Sequence, residues 1–191
     1  MLKIKIHRAD GKIGSYSQPD DGAAERVLHR LVPERVFASK SIAIGVKNPF
    51  NIINTDHICW VELVTDLPVQ YGLPPGFEHV TLLGSRAEYE EILARQWPKW
   101  RTTFAENQQR FLEALVEVSL VDGSQIHLHA LGRSPMSLDA LLEPEHAIVA
   151  TFAPNGTVLI NPRNVVRARI YHSENKVNYP HGLWFAESDD I

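Results

Sequence analysis

His127 and His129 form a His-x-His pair, the residues whose type and spacing best suit chemistry in this chain. On an extended strand, side chains two apart point the same way, so two neutral imidazoles can converge on one metal ion. A third and fourth ligand would have to come from elsewhere, with His146, His57 and Glu145 as candidates. No His-Glu-x-x-His, which joins a ligand pair to a general base, is present. The simpler reading places both histidines on the solvated face of an amphipathic strand, and that reading is preferred.

Glu34 and Glu145 each follow a proline, and Asn54 and Asn161 recur in like surroundings. A carboxylate pair can divide acid and base work between its members. Residues repeated at matched places more often serve the fold, because proline ends helices and asparagine bonds backbone at turns. Cys59 is the single cysteine, so an intramolecular disulfide is excluded, and its apolar neighbours predict a buried, inert thiol. There is no glycine-rich phosphate loop and no Gly-x-Ser-x-Gly elbow. The sequence thus leans away from an enzyme and identifies no cofactor.

The elements that would position these residues show an internal echo. Asp122-Gly123 answers Asp10-Gly11 at an offset of 112, and Leu142-Glu143-Pro144-Glu145 answers Leu31-Val32-Pro33-Glu34 at 111. Leu159-Ile160-Asn161 with Val165 answers Ile52-Ile53-Asn54 with Ile58 at 107. Three matches in one order, at nearly constant spacing, predict an internal duplication.

In the first copy, Leu2, Ile4 and Ile6 alternate with Lys3, Lys5 and His7 as in a half-buried strand. Ala9-Asp10-Gly11 turns the chain into a return strand over 12–17, and a short helix is expected from Asp21 to Leu31, ended by Pro33. Strands are predicted over 36–46, 50–54 and 58–64. The second copy repeats the order, with strands over 116–121 and 125–131 and a short helix over 137–142. Strands over 147–152 and 157–161, joined by a Pro154-Asn155-Gly156 hairpin turn, and a last strand to Tyr171 complete it.

Between the copies, 65–84 is broken by prolines and glycines and reads as a linker. Ser85-Arg86-Ala87-Glu88 predicts a capped helix that breaks at Pro98 and resumes to about Leu115. The expected fold is α+β: two related β-rich modules, 1–64 and 116–171, each a small barrel-like or strongly bent antiparallel sheet. A linker at 65–84 and a broken helical segment at 85–115 join them, and a tail runs over 172–191.

Matching the last strands sets Val166, Ala168 and Ile170 on the core face with Cys59, Val61 and Leu63. The other face then carries Trp60 and Glu62 in one copy and Arg167 and Arg169 in the other. Such faces are complementary, since Glu pairs with Arg and Arg stacks on Trp. These four residues, with Trp184 in the apolar run Leu183-Trp184-Phe185, are the interface candidates.

The net charge of −4 gathers toward the C-terminal segment, where 116–191 holds 5 basic against 9 acidic residues. No basic stripe is present, so nucleic acid is not an expected partner. No apolar run reaches the roughly 20 residues of a bilayer span, and the alternating N-terminus is unlike a signal peptide. A cytoplasmic protein without membrane association is expected. Three functions fit. The first is a non-catalytic protein-binding or regulatory module acting through a protein partner or as a homodimer. The second is an enzyme with a dispersed site near His127 and His129, and the third a small-molecule binder with its pocket between the copies.

Overall fold

A computed structural model of the chain describes residues 1–45, 50–69, 71–73, 76–103, 111–133 and 146–173. The predicted helix over 137–142, Glu145 and Trp184 lie outside the described residues. The N-terminal segment contributes β1 (Leu2–Arg8), β2 (Ile13–Gln18), α1 (Asp21–Leu28), β3 (Ser41–Gly45), β4 (Phe50–Asn54) and β5 (Ile58–Thr65). β6 (Phe77–Leu82) and α2 (Arg86–Thr103) follow, then β7 (Phe111–Leu120), β8 (Gln125–Arg133), β9 (Ile148–Phe152), β10 (Gly156–Ile160) and β11 (Val165–His172).

Nine strands form one sheet in the order β11-β7-β8-β6-β9-β10-β5-β1-β2, and β3 with β4 forms a separate hairpin. Only β6 and β9 run parallel. The architecture is the expected β-rich α+β, but a single sheet passes through both segments, because β10 pairs with β5. Cys59 of β5, in one inner core with Val116, Val118 and Leu120 of β7, lies against Asp122 in the turn that follows β7, five strand positions away. In a flat sheet those strands would stand about 24 Å apart. The sheet is therefore strongly bent, and its inner face wraps this core.

The outer face carries two separate cores. α1, capped by the Asp20 side chain on the Ala23 N–H, covers Leu2, Ile4, Ile6, Val61 and Leu63 with Val36 and Phe37. α2 covers Leu115 with Tyr89 and Trp100. The α2 cap is close to the expected reciprocal form: Ser85 Oγ accepts from the Glu88 N–H, while Glu88 accepts from the Gly84 N–H.

Three expectations in this region need correction. Residues 65–84 are not simply a linker, since Phe77–Leu82 forms β6 in the middle of the sheet. α2 runs unbroken through Pro98. An internal proline costs a helix about 3 kcal/mol, which burial of Tyr89 and Trp100 and the edge contacts of Trp97 with Trp100 and Tyr171 offset. Finally, Phe111–Leu120 is strand rather than helix, with Leu112, Ala114, Val116, Val118 and Leu120 alternating into the inner core.

The two segments share a register. His7 pairs with Ile13 and Ser119 with Gln125; Lys5 pairs with Glu62 and Glu117 with Arg169. The last strand of each is irregular at the same place, where pairing skips Cys59 in β5 and Val166 in β11. The Ala9 N–H donates to the His57 carbonyl at 2.9 Å, and the Val121 N–H to the Asn164 carbonyl at 3.0 Å. Both Asp-Gly turns hold glycine at positive φ, 74° at Gly11 and 83° at Gly123.

Each last strand is preceded by a single 3-10 turn capped by asparagine: Asn54 accepts from the Asp56 N–H and Asn161 from the Arg163 N–H. Asn161, fully buried, also donates to the carbonyls of Thr55 and Ile58 at 3.1 and 2.9 Å. Asn164 donates to those of Asp56 and Ile58 at 3.0 and 2.8 Å. The second turn is thus bolted to the first by side-chain amides.

Replacing Asn161 with Ala removes two buried hydrogen bonds and a cap, a loss of about 2–4 kcal/mol. Asn54→Ala removes only an exposed cap, about 1 kcal/mol. Urea unfolding of the two variants measures the difference, and equal losses would show that the bolt carries no stability.

Candidate functional site

β8 places His127 and His129 on one face, as the strand period requires, and α2 covers that face. The preferred expectation of a solvated pair is corrected: His127 is only 6% exposed, packed 4.8 Å ring to ring from Tyr89. Each histidine turns to its own glutamate on β7. His129 Nε2 lies 2.8 Å from Glu113 Oε1, a hydrogen bond, and His127 Nε2 lies 3.6 Å from Glu117 Oε2, beyond one. His127 Nε2 and the Tyr89 hydroxyl are buried without a hydrogen-bond partner among the described residues. Burial and the Glu117 charge push the Tyr89 phenol well above its ordinary range, keeping it protonated.

His57 ends the 3-10 turn before β5, and His146 immediately precedes Ala147 and β9. Among the described residues no three His, Cys, Asp or Glu side chains group to hold a metal ion. Glu34 is exposed and engages no described acid.

The proposed meeting of Trp60 and Glu62 with Arg167 and Arg169 does not occur within the chain. Glu62 is spent inside its own segment, with Oε1 2.7 Å from His7 Nε2 and Oε2 3.0 Å from Lys5 Nζ. Trp60 stacks on the His7 ring at 3.5 Å and packs against the inner core. Arg169 instead stands opposite Glu117 on β7, and Arg167 opposite Ser119. The two segments therefore carry one cross-strand ion-pair position with its signs exchanged, Lys5 with Glu62 and Glu117 with Arg169. The expected core role of Val166 is also corrected: the irregularity in β11 leaves it 67% exposed, while Ile170 packs on the inner core.

Cys59 is fully buried, and burial, aided by the nearby Asp122 charge, raises its thiol to about 11. It stays a thiol at neutral pH, a weak nucleophile.

The feature that sequence reasoning missed lies in the N-terminal segment. A cavity of about 520 Å³ opens between the outer face of β1, β2 and β5, the helix α1 and the β3–β4 hairpin. Its floor is Ile4, Ile6 and Val61, its helical wall Val27 and Leu31, and its roof Ile42 and Ile44. Ser17, Gln18, Arg30 and Asn51 supply the polar lining. The volume falls in the range of small-molecule sites, about 300–1,000 Å³. It lies wholly within residues 4–61 and not between the two segments, because β3 and β4 stand apart from the sheet that their counterparts join. No residue motif marks it.

Burial lowers the His7 imidazole below its ordinary 6.5, and hydrogen bonding and charge from Glu62 offset this only in part. A depressed histidine favours the neutral form in the native state. Its stabilisation is complete above the unfolded value of 6.5 and is lost as pH falls through the lowered native value. His7→Gln should flatten the acid side of the melting-temperature profile below pH 6.5. An unchanged or steeper profile would contradict the neutral assignment. No protein-family model matches the chain, and no curated protein or solved structure matches it either.

Proposed function

We propose that the chain is a small-molecule-binding module whose site is the cavity beneath the β3–β4 hairpin. The observation that carries this reading is the aliphatic lining of a space of about 520 Å³ that the packing leaves open. Apolar surface left unfilled in a folded chain forfeits dispersion contacts that an apolar guest restores. The hairpin is suited to act as a roof, since Ile42, Ile44 and Ile53 pack only partly onto the core beneath. Among the described residues no carboxylate, histidine or cysteine lines the space, and its aliphatic surface suits binding.

An internal duplication accounts for how the cavity arose. The shared register, the paired irregularities and the matching turn hydrogen bonds support two copies of one unit. In the C-terminal copy β9 and β10 enter the sheet; in the N-terminal copy the matching hairpin is displaced over α1, and the gap beneath it is the site.

A second reading, protein binding or self-association, takes support from β11. Among the described strands it is bonded on one side only, and its outward Val166 is 67% exposed. Exposed strand edges template pairing with another chain. On that reading Val166→Lys weakens association, and sedimentation velocity should show a lower apparent mass than wild type at equal concentration; identical profiles would remove the edge as an interface.

For the cavity, an apolar ligand at a hundred times its Kd should stabilise the protein by about 2.7 kcal/mol. Val27→Phe places a ring in the space and should abolish that stabilisation, read as a ligand-dependent thermal shift. Ile44→Phe, from the roof, repeats the test should the helix variant unfold. Undiminished shifts in both folded variants would place the ligand elsewhere.

A further inference from the structure

We infer that the ligand of this cavity is an amphipathic carboxylate, with its acid group on Arg30 and its hydrocarbon body on the aliphatic floor. The inference rests on the reading of the cavity as a binding site and adds the class of molecule. Among the described residues, Arg30 is the only charged one in the lining, and no acid lines the space with it. Among the described residues its side chain has no ion pair or hydrogen bond, so its guanidinium is available to a ligand. An exposed, unpaired guanidinium beside a concave apolar surface can take a carboxylate through two parallel N–H bonds.

The remaining polar lining fits the same assignment. Gln18 Oε1 is already occupied by the Asp20 N–H at 3.1 Å, which leaves the amide NH2 as the group to offer. Ser17 and Asn51 can donate as well. The lining therefore pairs one fixed cation and several neutral donors with Ile4, Ile6, Val61, Leu31, Ile42 and Ile44. A cationic or zwitterionic head would meet Arg30 with like charge and no compensating carboxylate, so the site discriminates by sign as well as by shape.

Titration calorimetry of the full chain with decanoate, decanol and decylamine tests this. Decanoate should bind at least about tenfold tighter than decanol, and decylamine weaker than either. Arg30→Gln, at an exposed position, should bring decanoate to the decanol affinity while leaving decanol unchanged; Arg30→Lys should recover only part of the difference. Equal affinity for decanoate and decanol in the wild type, or an Arg30→Gln variant that keeps the preference, overturns the carboxylate assignment and leaves the cavity reading intact. Failure of all three probes to bind overturns both.

Discussion

Four hydrogen bonds from two asparagine side chains tie the segments at one point. Asn161 and Asn164 send their amides into the carbonyls of Thr55, Asp56 and Ile58 at the first 3-10 turn. Buried carbonyls need partners, and water does not reach Asn161. The two turns must therefore sit against each other. Once they do, β5 and β10 fall side by side and the sheet becomes continuous from β11 to β2. The Asn161 N–H donating to the Cys59 carbonyl at 2.9 Å extends that junction by one more bond.

The equivalent junction on the other side is not made. A symmetric arrangement would lay β4 along β11 as β10 lies along β5, and among the described residues β4 pairs only with β3. Two consequences follow from this one absence. β11 is left as an edge, and the hairpin is available to lie over the outer face of β1 and β2. Its register also differs from that of β9–β10 by one residue: Ser41 faces Asn54, whereas Ile148 faces Ile160. A slip of one residue exchanges the faces of a strand. In the displaced hairpin Ile42 and Ile44 can then turn together toward the cavity.

What was legible in the sequence was local. Alternation in Leu2–Arg8, the two Asp-Gly turns and the Asn caps each depend on residues within one turn or strand, and each is found where its chemistry predicts. β6 was not legible, because Phe77–Leu82 is short, flanked by prolines and glycines, and held as a strand by β8 and β9 rather than by its own pattern. The stretch from Phe111 failed for a different reason. Phe111, Leu112 and Leu115 suit a helical stripe, and only the longer alternation through Leu120 favours a strand. The environment of His127 was out of reach altogether, since the helix covering it starts some forty residues earlier in the chain.

Two segments of matching register invite the assumption that function lies where they meet. Here the meeting place is filled by asparagine amides, Cys59 and close-packed aliphatics, all satisfied and none offering space. The cavity beneath the β3–β4 hairpin lies where the N-terminal segment departs from the C-terminal one. With its hairpin outside the large sheet, the N-terminal segment gains a roof, a floor of Ile4, Ile6 and Val61, and a rim bearing Arg30. The register position that holds the Lys5–Glu62 ion pair in one segment sets Glu117 opposite Arg169 in the other, with the signs exchanged. Positions common to the two segments thus carry the fold, and the cavity lies where the segments differ.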